Sequence, residues 1–190
     1  MARGVRREKS RLAGGIELFA VSDVVLGEGK GNLGILVSAR LVQFYRHIME
    51  DYDRMQFAYE VIKLVTKASE MVDEPEWYEV MQEILMGLDV KTMPLALTET
   101  WFYVRYAALL GHELNLTRDT AGDKLTPDEQ YRYDSAEQGL RLSQNGEITA
   151  EHIKLLRLVA TKSLKILSQV GGIESILSDC LHVAREHAAV

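Results

Sequence analysis

Near its start the chain alternates with a period of two. Ile16, Leu18 and Ala20 interleave with Glu17, Phe19 and Val21, and the run continues through Val24-Val25-Leu26. A glycine-dense stretch follows (Gly27, Gly29, Gly31, Gly34), then Ile35-Leu36-Val37 and Leu41-Val42. Two β-rich runs around a Gly/Asn turn predict a hairpin, and two or three strands alone rarely make a stable unit. From Arg46 the period becomes helical. Ile48, Tyr52, Met55, Tyr59, Ile62 and Val65 step by three and four, and a second stripe runs Ala58, Val61, Val65, Ala68, Val72. So wide an apolar face predicts a helix packed on more than one side.

Asp73-Glu74-Pro75 marks a break, with Pro75 suited to the first turn of a new helix. Trp77, Val80, Met81, Ile84, Leu85 and Leu88 then make an amphipathic face. Pro94 opens a helix bearing Leu97, Trp101, Val104 and Ala108, with Gly111 near its end. Residues 115–148 are irregular. Thr126-Pro127-Asp128 is turn chemistry, and Tyr131-Arg132-Tyr133 and Leu140-Arg141-Leu142 read as a small polar hairpin. Thr149 suits an N-cap, with Glu151 favourable in the first turn. That helix is expected to run through Ile153, Leu156, Ala160, Leu164 and Leu167 to Gly171-Gly172. Ile173, Ile176, Leu177, Cys180, Leu181 and Ala184 outline a last helix. The fold class expected is mainly α: a bundle of about five helices over 46–190, with a hairpin insert near 115–148, preceded by a partial β segment over 1–45.

Composition is that of an ordinary globular chain, 47 % hydrophobic and 26 % charged. No apolar run approaches the ~18 residues of a membrane-spanning helix, and no apolar stretch of signal-peptide type follows the basic start, so a cytoplasmic protein is expected. The single cysteine, Cys180, excludes an intrachain disulfide and a zinc site built from cysteine pairs. The net charge of −6 is unevenly spread. Residues 1–46 hold eight Lys/Arg against four acids, a balance of +4, and the rest of the chain carries −10. A basic end on an acidic body can still present a phosphate-binding face.

Several motifs match known chemistry only superficially. Gly29-Lys-Gly31-Asn-Leu-Gly34 satisfies G-x-G-x-x-G, but a dinucleotide site needs a helix opening inside it, and Ile-Leu-Val-Ser-Ala-Arg-Leu-Val reads as a strand. A nucleotide-dependent enzyme would require helix near Gly31. His112-Glu113 begins like a zinc-protease helix, but Leu116 stands where the second histidine belongs. His182, Glu186 and His187 are read as a solvated helix end. Cys180 lies on an apolar stripe and has no basic partner, so it reads as a small hydrophobe. Trp101 sits on the core stripe, whereas Phe102 and Tyr106, four apart, share a neighbouring face that can serve binding. No nucleophile elbow, Walker loop or paired-carboxylate signature is present, and no enzyme and no cofactor are expected.

The start of the chain carries more information. Gly4-Val5-Arg6-Arg7-Glu8-Lys9-Ser10-Arg11-Leu12-Ala13-Gly14 resembles the "KGxRRxKSRLAG" stretch of the RecO family of recombination mediators. Glu17-Leu18-Phe19 and Gly29-Lys30-Gly31-Asn32-Leu33 are similar to that family's "LF" and "GRGNL"-type turn. Phe102-Tyr-Val-Arg105-Tyr-Ala-Ala-Leu-Leu-Gly111 resembles its "FELRLLxLLG" helix, and Tyr131-Arg132-Tyr133 through Gly139-Leu140 its "yRFSxxxGG" segment. The joint order of these blocks follows the whole chain.

The resemblance implies an N-terminal OB-fold followed by a helical domain, binding and annealing of single- and double-stranded DNA, and loading of RecA with RecR onto DNA coated by single-strand-binding protein. It also implies binding of that protein's acidic, Phe-ending C-terminal tail and a cytoplasmic, nucleoid-associated location. No zinc ribbon is expected, because residues 115–148 contain no cysteine. Met1 falls near the middle of the OB-fold region, so an incomplete barrel with exposed strand edges is expected over 1–45. Strand exchange, dimerisation or disorder would follow. The DNA-binding candidates are Arg3, Arg6, Arg7, Lys9, Arg11 and Lys30; those for the acidic tail are Arg105, Tyr106 and Lys162. The rival reading is a helical protein-interaction module without DNA-binding activity.

Overall fold

The computed structural model describes residues 12, 14–29 and 34–189. Two strands come first, β1 (Ala20–Gly27) and β2 (Ile35–Phe44), paired antiparallel with Val24 opposite Ala39 and Leu26 opposite Leu36. The alternation at Ile16 does not begin a strand, because the chain turns first. Phe19 adopts φ 54°, an uncommon conformation for a residue with a Cβ, and this turn drives its ring into the helical core. There it meets Tyr59 edge to face at 5.3 Å. Its carbonyl accepts the Tyr45 N–H. The base of the hairpin is thereby fixed to the helices, while the strands run out from them.

A single 3-10 turn (Arg46–Glu50) leads into α1 (Tyr52–Ser69), α2 (Glu76–Asp89) and α3 (Leu95–Leu109). Asp51 caps α1 by accepting the Arg54 N–H. Of the stripe Ala58, Val61, Val65, Ala68, Val72, the first four are buried, while Val72 lies beyond the helix and is half-buried; of the other stripe, Tyr52 and Tyr59 are exposed. α3 is buried nearly all round, from Leu97 through Val104 and again at Tyr106 and Ala107, as befits a central helix. The hydroxyls of Thr98 and Thr100 donate to carbonyls one turn back and so remain satisfied inside the core.

After α3 comes a long loop, then β3 (Tyr131–Asp134) and β4 (Gly139–Leu142), an antiparallel pair. Tyr131 is fully buried and exchanges both backbone hydrogen bonds with Ile148. The chain closes with α4 (Ala150–Thr161), the short α5 (Leu164–Leu167) and α6 (Leu177–Ala188). With 46 % helix and 17 % strand, the fold is mixed, helical with two small antiparallel sheets, rather than mainly α.

The single helix expected from Thr149 to Gly171 is broken. Lys162 is extended (φ −109°, ψ 158°), and the backbone groups that a continuous helix would pair internally go elsewhere. The Lys162 carbonyl accepts from the Trp101 indole at 2.9 Å, and the Leu164 N–H donates to the Glu83 carboxylate. Side chains of α3 and α2 thus replace the missing helical bonds. A neighbouring close approach fixes Gly87, where a Cβ would stand 2.6 Å from a Leu164 methyl.

Candidate functional site

The cations expected to bind DNA, Arg3, Arg6, Arg7, Lys9, Arg11 and Lys30, lie outside the described residues. The strands β1 and β2 are nearly free of charge: Asp23 and Arg40 are their only charged side chains and pair with each other at 2.6 Å. The strand β2 that follows the glycine motif removes the helix a dinucleotide site requires, so that reading is discarded.

The three residues expected to hold an acidic tail divide between two places. Arg105 lies in a cavity of about 230 Å³ between α2 and α3, its guanidinium 5.6 Å from the Trp101 ring centroid. Its Nε is buried with no hydrogen-bond partner among the described residues. Burial lowers its pKa, and the charge of Glu83 opposes that shift. Lys162 is joined to the same place through its carbonyl, which holds Trp101. Tyr106 is not there. It is 7 % exposed, with its ring against Trp77 and Phe102, and it borders a different groove with Glu60, Tyr103 and Arg185. Phe102, expected on a binding face, is fully buried against Phe57. α2, α4 and α6 all pack on α3, and its open side is the strip bearing Arg105 and Ala108.

The Arg105 cavity is lined by Glu76, Glu79 and Glu83. Three carboxylates against one guanidinium repel an anionic ligand. A second cavity, of about 210 Å³, has the opposite character. It lies between the 115–130 loop and α4, and its walls are Leu125, Thr126, Pro127, Ala150, Ile153, Lys154 and Arg157. Apolar walls, two cations and no carboxylate in the lining suit an apolar anchor beside an acidic group. Arg157 is held in place, since its Nε and Nη2 both donate to the Leu116 carbonyl at 2.9 and 2.6 Å. The loop is shaped by Asn115, which accepts from the N–H groups of Thr117 and Arg118, and by Asp119, which accepts from those of Ala121 and Asp123. Lys154 carried only a weak signal in the sequence, its three-residue spacing from Arg157 on one helix face; the loop opposite was not legible there.

Several other buried polar groups are paired within the fold. Among the described residues no group of His, Cys, Asp and Glu could hold a metal ion, and no helix is long and apolar enough to cross a membrane. Cys180 is fully buried, and burial pushes its thiol up to about 12. The helix end read as solvated is not so at His187, which is 3 % exposed. Its Nε2–H donates to the His112 carbonyl at 2.7 Å, which leaves Nδ1 to accept from the Tyr133 hydroxyl at 2.9 Å. His152 is likewise buried, accepting from the Thr149 N–H at Nδ1 and facing Asp179 with Nε2.

No family model matches the chain. Curated relatives do. Residues of this chain are 29 % identical over 90 positions to the DNA repair protein RecO of Syntrophomonas wolfei, a match covering 47 % of this chain and 36 % of that protein. They are 31 % identical over 102 positions to the DNA repair protein RecO of two Listeria monocytogenes strains, covering 53 % of this chain and 40 % of the relative. The matched stretch is thus well under half of each relative's length. Over about half of its own length, this chain is similar to the DNA repair proteins named RecO.

Proposed function

We propose that this protein is a RecO-like mediator of DNA repair and recombination, a factor that binds and anneals single- and double-stranded DNA rather than an enzyme. With RecR it would help load RecA onto DNA coated by single-strand-binding protein, in the cytoplasm at the nucleoid. The observation that carries the reading is the 31 % identity to RecO over 102 residues. In this reading residues 1–45 contribute part of an OB-fold and residues 46–190 the helical domain. Arg3, Arg6, Arg7, Lys9, Arg11 and Lys30 neutralise phosphate without reading sequence.

The acidic tail of single-strand-binding protein is a proposed partner, with Arg105, Tyr106 and Lys162 as first candidates. Electrostatics favours the Lys154–Arg157 cavity over the acid-lined Arg105 cavity for that ligand. The neutral strands β1 and β2 favour a second reading, a protein-interaction module without DNA binding.

Binding of a fluorescent single-stranded oligonucleotide across a salt series separates the two. The DNA reading expects affinity that falls with salt. In an Arg6→Ala/Arg7→Ala/Lys9→Ala variant the slope should be shallower by roughly 2, at ~0.7 for each phosphate left unneutralised. No binding at low salt leaves the interaction module. Titration with an acidic peptide ending in Phe then tests the cavity: Lys154→Glu should abolish binding, and Arg105→Ala should leave it.

A further inference from the structure

The break between α4 and α5 is made by neither proline nor glycine. The sequence across it, Leu158-Val-Ala-Thr-Lys-Ser163-Leu-Lys-Ile-Leu167, contains only residues that a helix accepts. Its apolar spacing also runs on without a change of phase. Ile153, Leu156, Ala160, Leu164 and Leu167 stand three or four apart, the stripe of one continuous helix. What interrupts that helix is tertiary. Lys162 is extended, with its carbonyl turned to the Trp101 indole N–H, and the Leu164 N–H is given to the Glu83 carboxylate. In an unbroken helix that carbonyl would accept from Ile166, and that N–H would donate to Ala160. Two arrangements therefore use the same backbone groups with different partners.

Both residues that hold the break, Glu83 and Trp101, also line the Arg105 cavity. There the broken arrangement leaves a defect. The Arg105 Nε is buried and unpartnered among the described residues, and a buried donor without an acceptor is costly. Burial lowers the Arg105 pKa, and the charge that opposes this is that of Glu83. Yet Glu83 gives its carboxylate to Leu164. Two donors on different elements thus compete for one acceptor. We infer that the α4–α5 junction is a two-state switch. In one state Glu83 and Trp101 latch the break; in the other Glu83 turns to Arg105, and α4 runs on as a single helix through Leu167. The latched state is the major one, because it keeps Leu164 and Leu167 fully buried, with Leu164 seated at Gly87. The continuous helix is a minor state of the free protein, at ~0.1–10 %. The switch ties the charge that the Arg105 cavity presents to the length of α4, the helix that carries Lys154 and Arg157 of the second cavity.

Relaxation-dispersion and saturation-transfer NMR on the intact chain test this, since both detect minor states that exchange in μs–ms. A minor state with helical Cα shifts at Lys162 and Ser163 is expected. Trp101→Phe keeps a ring and removes the N–H that holds Lys162, so it should raise the minor population roughly fivefold. Arg105→Met keeps the apolar stem and removes the competing donor, so it should lower that population. Ser163→Pro is the lock. Ser163 already has φ −75°, and Lys162 before it is extended, both suited to proline. The Ser163 N–H makes no hydrogen bond among the described residues, so this change fits the latched state and forbids the continuous helix. It should abolish the minor state without loss of stability. Flat profiles over 161–165 in both the wild type and Trp101→Phe would overturn the inference. So would a minor state with unstructured shifts, one that survives Ser163→Pro, or a population indifferent to Arg105→Met.

Discussion

Arg54 offers the sharpest test of how the helices are held. It is 7 % exposed, and its guanidinium gathers four carbonyls. Nη1 donates to Leu88 and Val90 at 3.0 and 3.2 Å, and Nη2 to Lys91 and Met93 at 3.2 and 2.6 Å. Leu88 belongs to the last turn of α2, where carbonyls lack helical partners, and the others lie in the turn before α3. One side chain of α1 therefore binds four carbonyls of the α2–α3 connection. A charged hydrogen bond contributes ~1.5–3 kcal/mol, but the four share one donor group, and burying the guanidinium costs several kcal/mol in return. Removing the cation leaves the carbonyls without it, and the net cost of breaking such a buried network is ~3–5 kcal/mol. Arg54→Met keeps the apolar stem and removes the fork. It should lower stability by that amount, shifting Tm down by roughly 6–20 °C for a chain of this size. Arg54→Lys, with three donors and no planar fork, should fall between. Urea unfolding followed by circular dichroism reads the difference. The contact with Asp51 at 3.7 Å is the competing account. If that pair, exposed on its Asp51 side, were the whole role of Arg54, the loss would be ~0–1 kcal/mol. A measured cost below ~1 kcal/mol would therefore mean that the four carbonyls do not depend on the guanidinium.

Three further outcomes follow from buried groups. Burial lowers the pKa of His187 below its ordinary 6.5. The unfolded chain therefore takes the proton first, so stability is full above that value and falls as pH drops through it toward the folded pKa. Tm measured between about pH 7.5 and 5.5 should show this decline, and His187→Gln should flatten it. Cys180, buried with its thiol raised to about 12, should resist a thiol reagent in the native protein and react fully in denaturant; fast native labelling would contradict its burial. Gly146→Ala would place a Cβ 2.2 Å from the Tyr131 carbonyl oxygen. Backbone cannot yield as a side chain can, so a loss of ~1–3 kcal/mol is expected in chemical denaturation, while Gly171→Ala, which meets nothing, should cost far less.

The order of the chain, β first and helices after, was legible in the sequence, because the change of period from two to 3.6 near Arg46 is a local property of side-chain spacing. So were the apolar face of α2, the Ala58–Val61–Val65–Ala68 stripe of α1 and the cap at Thr149, which depend on residues within one or two turns. The similarity to proteins named RecO, over about half of the chain, was likewise legible in linear order. Contacts between distant segments were not. The break at Lys162–Ser163 depends on Trp101 and Glu83, 61 and 81 residues away from the groups they hold, and no local propensity at 160–167 announces it. Tyr106 was expected at a surface from its spacing, but it is buried against Trp77 and Phe102, and periodicity cannot count how many neighbours a helix has. The charge of each cavity likewise arises only when α2 sets three glutamates around Arg105 and the 115–130 loop lies across Lys154 and Arg157. Which charged side chains share a cavity was settled by packing in three dimensions, because electrostatic character belongs to residues assembled in space and not to their order along the chain.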